Sequence, residues 1–256
     1  MKRKWIKHSW LLGLLGSTSL FAHAEAVNTL TAKFEQQHQT TLTFSQAPRA
    51  DLLVQAALQH LQLNMAQIDW HNSALFDVQA PYDLPQHVFV MIEQQSQSND
   101  ADQATWQQLL ASLKTYQFAQ RIFTPLDPDT TRLYLKDNPV LAGELRLQLN
   151  RQPSTVTILG DVAHAGPVTW QERHSALAYI GEDNLRHAHS NVWVIQPDGH
   201  VEQHAIAYWN QQFKEVAPGA IIYVPIKTRA VKSSNPTLNQ DLTLAIVELL
   251  RNRLPL

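Results

Sequence analysis

Residues 155–170 read TVTILGDVAHAGPVTW, residues 191–210 read NVWVIQPDGHVEQHAIAYWN, and residues 218–226 read PGAIIYVPI. Val156, Ile158 and Val162 alternate around Gly160, as in a half-buried strand with a bulge or turn. Ala165-Gly166-Pro167 is a turn signal, and Val168-Thr169-Trp170 resumes an extended pattern. Ala176, Leu177 and Ile180 stand at helical spacing before Gly181, which suits a helix end. Val192 and Val194 alternate with Trp193 and Ile195 as a buried strand, and Pro197-Asp198-Gly199 turns the chain into a second one. The last run, residues 220–225, is apolar almost throughout, which predicts a central strand covered on both faces. Hairpin, helix, hairpin, strand is the order of a β-grasp module, and little in it looks like chemistry.

The same opening recurs upstream. Leu30, Ala32 and Phe34 alternate, a polar turn follows, and Leu42 and Phe44 alternate again. Pro48 then precedes a helical face of Leu52, Leu53, Ala56, Ala57 and His60. Residues 94–102 (QQSQSNDAD) read as a polar loop, and Trp106, Leu109, Leu110 and Leu113 as an inserted helix over 105–119. Leu145, Leu147 and Leu149 predict a strand returning to the first sheet. The expected fold is therefore α+β, with two β-grasp domains at 25–150 and 151–231. The first carries a helical insertion around residues 100–124, and a C-terminal amphipathic helix occupies 232–256.

That helix has one apolar stripe, Leu238, Leu242, Ala245, Ile246, Leu249 and Leu250. Asp241 near its start and Arg251 and Arg253 near its end complement the helix dipole. About 15 residues give about 22 Å, short of the roughly 30 Å hydrocarbon core. The favoured reading is a helix packed on its own domain or on a neighbouring subunit.

Residues 1–24 read as a secretory signal: Lys2, Arg3, Lys4 and Lys7, an apolar run over 10–21, then Ala22-His23-Ala24. Cleavage after Ala24 leaves 232 residues and removes four of the 20 basic but none of the 22 acidic residues, for a net charge of −6. Such a chain is a poor partner for nucleic acid or an anionic membrane surface. There is no cysteine, which excludes disulfides, thiol nucleophiles and lipid attachment at a signal-adjacent cysteine. A periplasmic protein that is not a lipoprotein is expected.

The runs VTILGDV, PDG, AYWN and PGAIIYVPI, with PLDPDTTRL at 125–133, resemble the capsule biosynthesis GfcC-like family, which includes the YjbG-type exopolysaccharide proteins. The resemblance covers most of the mature chain. It implies a periplasmic protein of a polysaccharide export locus, without a cofactor. The implied architecture is similar to that of the outer-membrane polysaccharide exporters: β-grasp domains of the soluble-ligand-binding (SLBB-like) type and a C-terminal amphipathic helix. It also opens a second reading of that helix, as a membrane or subunit contact. At the Ala-Gly-Pro turn the chain departs from the more usual Pro-Gly.

By the same resemblance, Arg121 matches an arginine that family members carry before the Pro-Leu-Asp-Pro run. A guanidinium among apolar neighbours can grip a sugar acid in a bidentate manner. The plainer reading ties it to Asp127 or Asp129, or leaves it solvated. Asp127, Asp129 and Glu144 could serve as a glycosidase pair, but Asp127 beside Pro128 reads better as a helix or turn start. Tyr208, Trp209 and Asn210 could stack on and bond a sugar, although such a pair at a strand end more often plugs a core. His187 and His189 permit a metal, but no third ligand has an evident spacing, so these and the hairpin histidines His200 and His204 read as surface groups. Serine-hydrolase, P-loop and dinucleotide signatures are absent. The expected function is a non-catalytic factor that binds glycan or outer-membrane export machinery. The alternatives are a polysaccharide-modifying enzyme with its pocket near Arg121 and a purely structural subunit.

Overall fold

The computed structural model describes residues 28–35, 38–97, 102–227 and 242–255. The expected signal, the lead-in at 232–237, Leu238 and Asp241 lie outside the described residues.

The first unit contains strands β1 (Asn28–Phe34) and β2 (His38–Phe44), helix α1 (Ala50–Leu61), β3 (Ala74–Asp77), helices α2 (Leu84–Ser96) and α3 (Gln103–Leu113), β4 (Gln120–Ile122), α4 (Pro128–Leu133) and β5 (Glu144–Leu149). Its five strands lie in the order β2-β1-β5-β3-β4, with β1 and β5 parallel and the other pairs antiparallel. The second unit contains β6 (Thr155–Gly160), β7 (Gly166–Thr169), α5 (Ala176–Ile180), β8 (Asn191–Ile195), β9 (Val201–Ala205) and β10 (Ile221–Val224). Its order, β7-β6-β10-β8-β9, repeats the first sheet with one parallel pair, β6 with β10. The chain is thus α+β with two five-stranded mixed sheets, and its last strand in each unit runs through the sheet centre.

Side-chain alternation follows the register. Leu30, Ala32, Leu147, Leu75 and partly buried Ile122 face α1, where Leu53, Val54 and Ala57 close the first core. The opposite row is Thr31, Arg146, Phe76 and Arg121. That face is covered at its β3–β4 end, where Ala74 and Phe76 meet Ala119 and Leu254.

The second sheet is covered on both faces. Ile158, Val192, Val194, Ile222 and Val224 pack toward α5. Leu159, Ile195, Ile221 and Tyr223 pack instead against α2, α3 and the last helix, α6 (Leu242–Arg251). The apolar stripe of α3 therefore does not serve its own sheet. Trp106, Leu109 and Leu113 close the core of the other one.

Two expectations change in detail, and the favoured one for the tail narrows. Residues 94–96 are the last turn of α2, not a loop, because burial of Gln95 and Ser96 carries the helix through polar residues. The insertion is a hairpin of two helices beginning at Leu84, and it ends before β4, which occupies part of the 100–124 span. The tail helix packs within its own chain, with Leu242, Ile246, Leu249 and Leu250 buried. Among the described residues no helix is long and apolar enough to cross a membrane.

Candidate functional site

Arg121 lies on β4, the edge strand of the first sheet, and three separate segments hold it. Its backbone N–H donates to Asn252 Oδ1 at 2.9 Å, just beyond α6. Its Nη1 donates to the Pro197 carbonyl at 2.9 Å, in the β8–β9 turn, and its Nη2 to the Ser73 carbonyl at 3.4 Å. The turn can approach because residue 199 is glycine: φ is +86°, and a Cβ would sit 2.5 Å from Phe123 Cε1 and 3.4 Å from Arg121 Nη1. Pairing of Phe118 with Arg253, and Leu254 N–H to the Gln117 carbonyl at 2.8 Å, ties the chain end to the same region.

The guanidinium is buried, and among the described residues no carboxylate lies within 4 Å of its nitrogens. Burial lowers its pKa to about 10; Arg253 and Arg251 push the same way and Asp198 opposes them. It stays charged at neutral pH. Buried Arg253 is likewise lowered to about 10 by desolvation. Its Nη2 donates to the Gly219 carbonyl at 2.7 Å. Arg251 stacks on Phe123 at 4.2 Å, with Arg121 5.7 Å from the same ring.

This edge opens into a cleft of about 420 Å³, lined by Trp70, Phe123, Thr130 and Asp198 beside Arg121. Among the described residues, two of the five guanidinium N–H groups have carbonyl partners. Asp127 lines the same cleft but acts as the α4 N-cap: its Oδ1 accepts from Asp129 N–H at 3.1 Å and its Oδ2 from the Thr130 hydroxyl at 3.0 Å. Asp198 Oδ1 accepts from His200 N–H at 2.8 Å. The structure thus brings Arg121 and Asp127 together without pairing them. Cationic, aromatic and apolar side chains around one buried guanidinium suit an anion carried on a ring-shaped body.

Tyr208, Trp209 and Asn210 are not part of the cleft. They occupy the loop after β9, and Tyr208 and Trp209 are 98% and 76% exposed rather than core plugs. They follow the outermost strand of the second sheet and belong to no hydrophobic cluster among the described residues. Asn210 braces its own loop, accepting from Ala207 N–H at 3.1 Å and donating to the Ser190 carbonyl at 3.1 Å. The surface reading holds for His187 and His200, which are exposed, but not for His204, which is 2% exposed; His187 and partly buried His189 also bond a buried carboxylate. Trp70, Phe123, Asp198 and Arg251 enter the site unannounced by any sequence spacing; they converge through the pairing of two distant hairpins.

Fold and cleft define a two-sheet α+β protein with an arginine-centred groove between its halves. Residues 26–152 match the family model described as capsule biosynthesis GfcC, N-terminal, and residues 164–255 the one described as capsule biosynthesis GfcC C-terminal. The chain belongs to this capsule biosynthesis family, which is not a known enzyme family and suggests a role in capsule assembly. It is 30% identical over 167 residues to the uncharacterized protein YjbG of Escherichia coli (strain K12), across 64% of this chain and 66% of that protein, just under two thirds of it.

Proposed function

We propose that this protein is a periplasmic, non-catalytic factor of capsule or exopolysaccharide assembly and export that binds an acidic glycan in the Arg121 cleft, and through it serves the export machinery. The carrying observation is a buried, positively charged Arg121 facing an aromatic-lined cleft with no carboxylate within 4 Å among the described residues. A sugar carboxylate supplies the missing counter-charge, and Trp70 or Phe123 can stack on the ring. Membership of the capsule biosynthesis family supports the pathway. The basic, apolar and small-residue pattern over 1–24 supports export.

In this reading both units are β-grasp modules of the SLBB-like type. The shared strand order and the single helix facing each sheet's parallel-paired centre support that. In the same reading the domains are 25–150 and 151–231 and the tail is 232–256; the strand-free stretch between the end of β5 at Leu149 and the start of β6 at Thr155 supports that division. Neither acidic side chain of the cleft offers an uncommitted pair of oxygens, which favours binding over hydrolysis.

Binding of uronic-acid oligosaccharides to the chain lacking residues 1–24, followed by calorimetry, tests this. Arg121→Gln is expected to weaken binding at least tenfold, as loss of a charged hydrogen bond of about 1.5–3 kcal/mol implies. Equal binding by the folded variant, no binding by either protein, or new reducing ends during incubation overturns the reading.

A further inference from the structure

A second cluster of ionisable groups lies where the helical hairpin meets the second sheet, outside the Arg121 cleft. Gly160 ends β6 with φ at +101°, and a Cβ there would lie 1.9 Å from the Val224 carbonyl oxygen. Only glycine lets the chain bend this close to β10, and the bend delivers Asp161 inward. Asp161 is 1% exposed. Its Oδ2 bonds both His187 Nδ1 and His189 Nε2, each at 2.8 Å. Its Oδ1 is buried and has no hydrogen-bond partner among the described residues. From the facing side comes Asp102, the residue that starts α3. One ligand atom each from Asp102, Asp161 and His187 lie within 4.8 Å of one another.

Bringing two carboxylates this close is unfavourable without a cation between them, and a buried orphan oxygen costs about 1–3 kcal/mol. The two histidine hydrogen bonds both reach Oδ2 and leave Asp161 Oδ1 unsatisfied among the described residues. One ion answers both. Imidazole nitrogen with carboxylate oxygen is the ligand set of zinc-class ions, which bind three such donors and leave a fourth position for water.

We infer that Asp102, Asp161 and His187 form a binding site for a divalent transition-metal ion of the zinc class. His189 orients the Asp161 carboxylate through its hydrogen bond, as partners behind metal ligands do. Binding replaces the His187–Asp161 hydrogen bond with two bonds to the ion and releases the Nδ1 proton. The ion joins the start of α3 to the segments after β6 and before β8, so it fastens the inserted hairpin to the second sheet. This inference stands independently of the glycan reading.

The test uses the chain without residues 1–24, stripped with chelator and titrated with zinc chloride by calorimetry, with cobalt(II) absorption as a coordination readout. One ion per chain is expected. At a hundredfold excess over Kd the melting temperature should rise by about 5–10 °C. His187→Ala and Asp102→Asn should each weaken binding at least tenfold; their folding is checked by circular dichroism, and the half-exposed His187 makes its variant the safer one. No binding overturns the inference. So does zinc bound equally by both variants, which would mean that other histidines hold it.

Discussion

The two sheets share one strand order and differ in how many faces they bury. In the first sheet the central strand β5 presents Leu145, Leu147 and Leu149 to α1, while Arg146 and Glu144 stay partly or fully exposed. In the second sheet the central strand β10 is Ile221-Ile222-Tyr223-Val224, buried throughout. The extra cover comes from α2, α3 and α6, none of which belongs to the second unit's own hairpins. Identical topology therefore carries two different energetic roles. One sheet is packed on a helix on one face and covered on the other only at its β3–β4 end, and the other is the middle layer of a three-layer stack.

The largest break in that comparison is removal of α6. Ending the chain at residue 241 strips Leu242, Ile246, Val247, Leu249 and Leu250 from the second sheet and releases β4 from Asn252. At about 1.5–3 kcal/mol per buried side chain the loss is on the order of 10 kcal/mol, which rivals total domain stability. Loss of a cooperative melt, with dye binding to exposed apolar surface, is the expected outcome; a melt like that of the intact chain would show that the stack does not need its third layer.

The matched pair Tyr223→Ala and Arg146→Ala probes the same difference within single strands. Tyr223 fills the helix-facing layer and its loss should cost about 3–5 kcal/mol. Arg146 occupies the open face of the equivalent strand, and its loss should stay within about 0.5 kcal/mol. Urea denaturation measures both, and comparable values would remove the distinction between the sheets.

Gly160→Ala should cost about 2–3 kcal/mol, since a methyl group there meets the Val224 carbonyl and a positive φ together. The topologically matched end of β1, Phe34, carries a side chain already, so no equivalent penalty exists in the first unit.

The smallest effect is pH dependence at His204. Burial lowers its pKa below the ordinary 6.5 despite Glu202 nearby. The unfolded chain then binds the proton more readily, so stability is complete above about pH 6.5 and falls as pH drops toward the folded-state pKa. A His204→Met variant should flatten that part of the stability–pH curve; an unchanged slope between pH 5 and 7 would place the titration elsewhere.

Much of this was legible before any coordinates. Strict alternation in Leu30-Thr31-Ala32 and in Val156-Thr157-Ile158 announces strands with one closely packed face, and the apolar 220–225 run announces a central one. Asp127 before Pro128 announces a helix cap, and the cap forms. The polar 94–96 segment hid the end of α2, because Gln95 and Ser96 are helical through burial rather than propensity. Tyr208 and Trp209 misled in the other direction, since an apolar residue type does not reveal whether neighbours exist to cover it. Arg121 could be singled out by resemblance, but its carbonyl partners at Pro197 and Ser73 stand 76 and 48 residues away.

By itself the amino-acid sequence determined the local elements, the recurrence of their hairpin–helix opening along the chain and the family, because periodicity, turn residues and caps act over a few neighbouring positions. The tertiary structure alone decided which sheet the inserted helices cover, what surrounds Arg121, and that Asp102 and Asp161 approach His187. Those pairings join segments far apart in the chain, where loop closure and the burial of two distant apolar faces choose the partner and no local pattern records the choice.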